Sequence, residues 1–188
     1  MAIRTPLNHP RAAAALVGTA AAVLAALPAT PAAALGGGFV TPKSTTVVNA
    51  NSGKCLEIAD WRTDNGAPAR QWDCTGGANQ IWDFRSANGV TMLVNRNSGK
   101  CLEIADWRTD DGAPARQWDC HAGWNQGWLY SGSIGPRKEL GLSNLNSAAL
   151  LEIADWRTDN GAPARQWRGE SNRVVDGNKA WITNIKLI

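Results

Sequence analysis

From residue 44 to the end of the chain, hydrophobic and polar positions alternate in short runs, and none keeps a sustained helical period. Residues 45–49 alternate weakly, and 54–59 alternate around Leu56 and Ile58. Residues 69–74 and 80–85 complete a set of four predicted strands. Turn signals separate them: Asn51-Ser52-Gly53, Asp64-Asn65-Gly66 with Pro68 behind it, and Gly76-Gly77. Residues 90–96, 100–105, 115–120 and 126–131 form a second set. A third runs through 140–146, 149–154, 164–168 and 180–185.

The sets are copies of one another. Leu56–Trp72 recurs at Leu102–Trp118 and at Leu151–Trp167, differing inside the block only at Asn65, Asp111 and Asn160. Nine of the ten tryptophans fall into three registers, Trp61/Trp107/Trp156, Trp72/Trp118/Trp167 and Trp82/Trp128/Trp181, and only Trp124 stands outside. Twelve short strands in three near-identical copies suit a closed three-fold fold. An open array needs distinct capping repeats, and a three-bladed propeller is narrower than that architecture allows. The expected fold is all-β, a β-trefoil of three repeats with four strands each, over residues 44–89, 90–138 and 139–188.

The first 34 residues read differently. Arg4 and Arg11 precede an Ala-rich apolar stretch too short to span a bilayer comfortably, and Ala32-Ala33-Ala34 supplies a small-residue cleavage site. Residues 1–34 are expected to be a secretory signal peptide, with an N-terminal membrane anchor as the other reading, and 35–43 a short linker. The formal charge of +3 includes Arg4 and Arg11. What remains is too weak a field to argue for a nucleic acid or a membrane surface as partner. Cys55 and Cys74 recur as Cys101 and Cys120, whereas the third repeat has Leu150 and Gly169 and so lacks both together. Joint loss is what bonding predicts, and Cys55–Cys74 and Cys101–Cys120 disulfides follow, in keeping with export. A zinc site is the rival, without C-x-x-C spacing or histidines to support it.

In combination these features resemble the ricin B-chain lectin family, which overlaps the family-thirteen carbohydrate-binding modules of bacterial glycosidases. The resemblance rests on Gln80-Ile81-Trp82 and Gln126-Gly127-Trp128 near the ends of the repeats, on the Cys-Leu-Glu-Ile openings, and on the Asn-Gly-Ala-Pro turn. The third repeat departs, with Lys179-Ala180-Trp181. The resemblance implies a secreted, monomeric, non-catalytic protein that binds carbohydrate and needs no cofactor or metal. It assigns Trp82, Trp128 and Trp181 to the core. It places sugar pockets at Glu57, Arg70, Trp72, Asn79 and Gln80, then at Glu103, Arg116, Trp118, Asn125 and Gln126, and lastly at Glu152, Arg165, Trp167 and Asn178. A carboxylate accepts from neighbouring hydroxyls, an amide both donates and accepts, and an indole packs on the C–H face of a pyranose.

Two substitutions open a second reading of these positions. The family's acid is usually Asp and its polar partner often Gln, where this chain has Glu and Arg. Facing each other across a hairpin, Glu57 and Arg70 can pair and fill the pocket. Trp61, Trp107 and Trp156 are either lids on the core or second stacking walls, and Asp60, Asp106 and Asp155 read as turn hydrogen-bonders. Catalysis is disfavoured, because only His121 lies beyond the leader and the acids are copied three times. The alternative function is a protein-binding or protease-inhibitor-like trefoil, for which 131–139 and 170–176 are the candidate loops.

Overall fold

The computed structural model describes residues 44–134, 139–168 and 177–183, without the side chains of 131–134. The expected leader and linker, and most of the two candidate inhibitor loops, lie outside the described residues. In the first repeat the strands are β1 (Ser44–Thr46), β2 (Val48–Asn49), β3 (Cys55–Ile58), β4 (Ala69–Trp72) and β5 (Ile81–Ala87). The second contributes β6 (Val90–Asn95), β7 (Cys101–Ile104), β8 (Ala115–Trp118) and β9 (Trp128–Ile134). The third contributes β10 (Glu139–Asn144), β11 (Leu150–Ile153), β12 (Ala164–Trp167) and β13 (Trp181–Ile182).

Each repeat thus has the four strands read from its alternation, with one difference. The first strand of the first repeat is broken at Val47, because β1 pairs with β5 whereas β2 pairs with β13 and β3. First and fourth strands pair with one another along β1–β5–β6 and β9–β10–β13–β2, all antiparallel. The second and third strands form the hairpins β3–β4, β7–β8 and β11–β12. Single bridges join these hairpins in a closed triangle, Pro68 to Arg116, Pro114 to Arg165 and Arg70 to Pro163. This is a β-trefoil.

The core gathers the inward residues of all three repeats, Leu56, Ile58, Leu102, Ile104, Leu151 and Ile153 among them. Trp82, Trp128 and Trp181 are fully buried there. Each satisfies its indole N–H by donating to the carbonyl of Leu56, Leu102 or Leu151, at 3.0, 3.1 and 3.0 Å. The expected disulfides Cys55–Cys74 and Cys101–Cys120 are both formed, and no described cysteine is free for a metal.

The repeats grip one another through three buried glutamines. Gln117 of the second repeat donates its amide to the carbonyls of Arg62 and Asp64, in the turn of the first, at 3.1 and 3.0 Å. Gln166 does the same for Arg108 and Asp110, and Gln71 closes the circle on Arg157 and Asp159. A serine hydroxyl donates to each glutamine oxygen at 2.6 Å, from Ser52, Ser98 and Ser147. The one variable position of the repeated block is explained at the same seam. Asn65 and Asn160 face Asp119 and Asp73 of the neighbouring repeat, accepting from the backbone and donating to the carboxylate. Asp111 faces Arg168, which stands where the other repeats have aspartate, and accepts from its backbone N–H at 2.9 Å. An aspartate here opposite a third aspartate would set like charges together.

Two outcomes are expected. Gln117→Leu strands the carbonyls of Arg62 and Asp64 and should cost about 1–3 kcal/mol of unfolding free energy in a urea titration. The second concerns acid. The pKa of Asp73 is lowered by its hydrogen bond to Lys54 and then by that to Asn160, against a smaller opposing effect of burial, and Asp119 is lowered likewise by Lys100 and Asn65. A carboxylate with a lowered folded-state pKa stabilises the fold at neutral pH and loses that contribution as pH falls below about 4. Thermal melts should show stability dropping through that range, and Asp119→Asn should make the drop shallower.

Candidate functional site

Cross-strand register sets Glu57 opposite Arg70, Glu103 opposite Arg116 and Glu152 opposite Arg165. The pair left open by the sequence is made in every repeat. Arg70 donates from Nε to Glu57 Oε1 at 3.0 Å and from Nη2 to Asp60 Oδ1 at 2.9 Å. Its guanidinium lies 4.5 Å from the centroid of the Trp72 ring. Arg116 and Arg165 repeat the arrangement with Glu103, Asp106 and Trp118, and with Glu152, Asp155 and Trp167. An Arg fork between two carboxylates and a π-face is held on three sides, so its position is well determined.

The glutamates are buried, which a carboxylate tolerates only when its oxygens are matched by donors. Glu57 Oε2 accepts from Asn79 Nδ2 at 3.2 Å and Gln80 Nε2 at 3.0 Å, and Glu103 is held likewise by Asn125 and Gln126. Glu152 takes the same bond from Asn178 at 3.1 Å, but Lys179 stands in the place of the glutamine. Burial pushes the Glu152 carboxyl above the usual range, against the hydrogen bond and charge of Arg165, the charge of Lys179 and the bond from Asn178. Gln80 also donates to the Asp73 carbonyl and accepts from the Thr75 N–H, so it braces Glu57 from behind.

Beside the first Glu–Arg pair is a cavity of about 250 Å³, lined by Glu57, Asp60, Trp61, Arg70, Trp72, Thr75 and Asn79. Asp60 and Trp61 reach it from a turn in which both residues are left-handed, at φ 55° and 56°. The second and third repeats hold Asp106–Trp107 and Asp155–Trp156 in the same conformation. Two successive non-glycine residues of this kind cost on the order of 1–3 kcal/mol each, and such strain concentrates where function needs it. The turn is closed by the Arg62 N–H on the Ala59 carbonyl, and Asn97 of the next repeat donates to the Trp61 carbonyl at 3.1 Å. The Trp61 ring is 55% exposed and forms a wall of the cavity, which decides against a lid on the core. Its edge lies so close to Gly77 that a methyl group there would meet it at 2.7 Å. Trp107 approaches Gly123 in the same way, at 2.8 Å from a methyl group there, and also stacks on His121, ring centroids 6.0 Å apart.

Of the residues singled out from sequence, Glu57, Arg70, Trp72 and Asn79 converge on this cavity, whereas Gln80 supports it. Asp60, expected to hydrogen-bond within its turn, instead accepts from Arg70 across the hairpin, with its side chain 70% exposed at the cavity. Thr75, with His121 in its place in the second repeat, was not singled out. The strict recurrence of Ala-Asp-Trp after Ile58 was the available signal for the first of these; nothing local marked the second. Two acceptors remain at the cavity, the outer Asp60 oxygen and Asn79 Oδ1, a buried atom without a hydrogen-bond partner. Such a wall suits a ligand rich in donors.

Among solved structures, a designed three-fold symmetric protein, ThreeFoil, is 30% identical with a TM-score of 0.68, covering 77% of this chain and 99% of its own. An exo-β-1,3-galactanase from Clostridium thermocellum matches at 30% identity and the same TM-score of 0.68, over 76% of this chain but only 30% of the galactanase chain. The Macrolepiota procera ricin B-like lectin, solved in complex with lactose, shares the fold at 15% identity and TM-score 0.62, covering 76% of this chain and 94% of the lectin. No curated protein matches in sequence. A family model for ricin-type β-trefoil lectin-like domains matches residues 39–118 and 78–167, together well over half of the chain. With its three-fold strand order, its buried tryptophan under each repeat and this match, the chain belongs to the ricin-type β-trefoil lectin-like family.

Proposed function

We infer that the protein is a secreted, monomeric, non-catalytic lectin that binds glycans or polysaccharide through up to three shallow pockets. The observation that carries this reading is the threefold copy of one polar arrangement. In each repeat a buried glutamate, an anchored arginine, an unpartnered buried amide oxygen and a half-exposed indole occur together. Neighbours of the same fold support it, since the Macrolepiota lectin was solved with lactose and an earthworm R-type lectin half with GalNAc. Residues 1–34, read as a leader, support export. Binding rather than catalysis suits a site that recurs three times, and the galactanase neighbour is consistent with a trefoil serving as one part of a larger enzyme.

In this arrangement Trp61 and Trp107 are the half-exposed indoles, Trp107 with His121 stacked on one face, while Arg70 and Arg116 lie over Trp72 and Trp118. A sugar resting on Trp61 would present hydroxyls to Asp60 and the Glu57–Arg70 pair. One such site holds a monosaccharide weakly, and affinity for a polymer comes from several sites on one rigid body. Affinity electrophoresis through a panel of soluble polysaccharides is the direct measurement. Retardation by at least one polymer is expected, with Trp61→Ala and Trp107→Ala each weakening it several-fold and the double variant nearly abolishing it. Unretarded migration through every polymer by the folded wild type would overturn the reading.

A further inference from the structure

We propose that the first two pockets select a cationic amino sugar, a pyranose bearing a free ammonium group, over neutral and acidic sugars. This rests on the carbohydrate-binding reading and names the ligand class of the same site. The charges that line the first cavity are two carboxylates, Glu57 and Asp60, against one guanidinium, so the wall carries a net negative charge. Arg70 gives its Nε and one Nη2 N–H to these two carboxylates and lies over Trp72, so its single positive charge is already matched within the wall. Glu57 is spent internally on Arg70, Asn79 and Gln80. Asp60 is not: its side chain is 70% exposed and keeps an oxygen open. The strained turn that holds Asp60 out also sets the Trp61 indole beside it. A carboxylate next to an exposed indole face is the pairing that favours an ammonium ion.

A second observation is independent of these charges. Asn79, 2% exposed, and Asn125, 1% exposed, each keep an unpartnered Oδ1. In the first repeat a methyl group on Gly77 would lie 2.8 Å from Asn79 Oδ1 and 2.7 Å from the Trp61 ring, so the amide oxygen and the indole edge both border Gly77. An acceptor without a donor, beside a surplus of carboxylate, favours a ligand that brings N–H or O–H groups.

The third repeat supplies an internal contrast. Lys179 replaces the glutamine behind the acid, and its charge reaches Glu152. With Arg165 and Lys179 against Glu152 and Asp155, this pocket has no surplus negative charge, and selection there should be weak.

The test pairs matched soluble polymers, glycol chitosan with free amines, glycol chitin with the same chain acetylated, and polygalacturonate as the acidic case. Binding of the full chain is measured by affinity electrophoresis and titration calorimetry. Tighter binding to glycol chitosan by about tenfold or more, falling as salt is raised, is the expected result. Asp60→Asn, which keeps the acceptor for Arg70, should remove most of that preference and Asp106→Asn a similar share, while Asp155→Asn changes little. General attraction to a polycation is an inadequate explanation for a chain whose formal charge is positive, +3 over its full length. Equal or better binding of glycol chitin, untouched by Asp60→Asn, would overturn the selectivity and leave the lectin reading standing. Binding to none of these polymers, nor to any in the wider panel, would overturn both.

Discussion

Three buried glutamines hold this molecule together as a ring, and the pockets depend on them. Gln117 fixes the turn from Arg62 to Asp64, the continuation of the same turn that presents Asp60 and Trp61. Asn97, from the same neighbouring repeat, caps the Trp61 carbonyl. Gln166 with Asn146, and Gln71 with Asn51, serve the second and third turns. No pocket is therefore the property of its own repeat. A glutamine amide at these places gives up water on both sides, so its bonds contribute only when both carbonyls and the serine hydroxyl are in position at once. That all-or-none requirement is what lets a repeat carry two left-handed non-glycine residues without relaxing them. The strain is offset from outside, by the next repeat.

Much of this was written in the local pattern. Alternation about Leu56 and Ile58 and the turn signals around them placed the strands to within a few residues, because a half-buried strand has a period of two whatever it packs against. The paired loss of cysteines located both disulfides. Opposition of Glu57 and Arg70 followed from the hairpin, since register fixes which side chains share a face. The seams between repeats were not legible. The contacts of Gln71 with Arg157 and Asp159 join positions far apart in the chain, and the motif that carries Gln71 is the same in all three copies, so nothing in one copy names its partner. The conformation of Asp60 and Trp61 was hidden for a different reason. Glycine advertises a left-handed turn, and neither of these residues does.

The arginine explains why the tryptophans exchange roles relative to the sequence reading. Trp72, Trp118 and Trp167 were the natural stacking walls, yet a guanidinium lies over each. Lengthening the family's acid by one methylene, from Asp to Glu, and replacing glutamine by arginine are two parts of one change. The longer acid meets Arg Nε, and the fork then reaches Asp60 with Nη2 while its plane rests on the indole. What the site loses as an aromatic wall at Trp72 it recovers at Trp61, whose ring is pushed outward by the strained turn.

Where the repeats differ is as informative as where they agree. The shared block from Leu56 to Trp72 faces its own pocket and the neighbouring repeat together, so a change in it has to satisfy two environments. Its single variable position shows this, since Asp111 occurs where the neighbour offers Arg168 and not aspartate. The residues at 75 and 80 bear on the site of their own repeat, bracing one glutamate or lining one cavity. There the copies diverge freely, to His121 in the second and Lys179 in the third. Each of these changes puts a different group beside an otherwise identical carboxylate, His121 Nε2 at 3.8 Å from Glu103 Oε2 in one case and the charge of Lys179 reaching Glu152 in the other. The ring thus constrains the scaffold of the pockets to be the same while leaving their electrostatics free to separate. A three-fold fold of this construction need not have three equivalent sites.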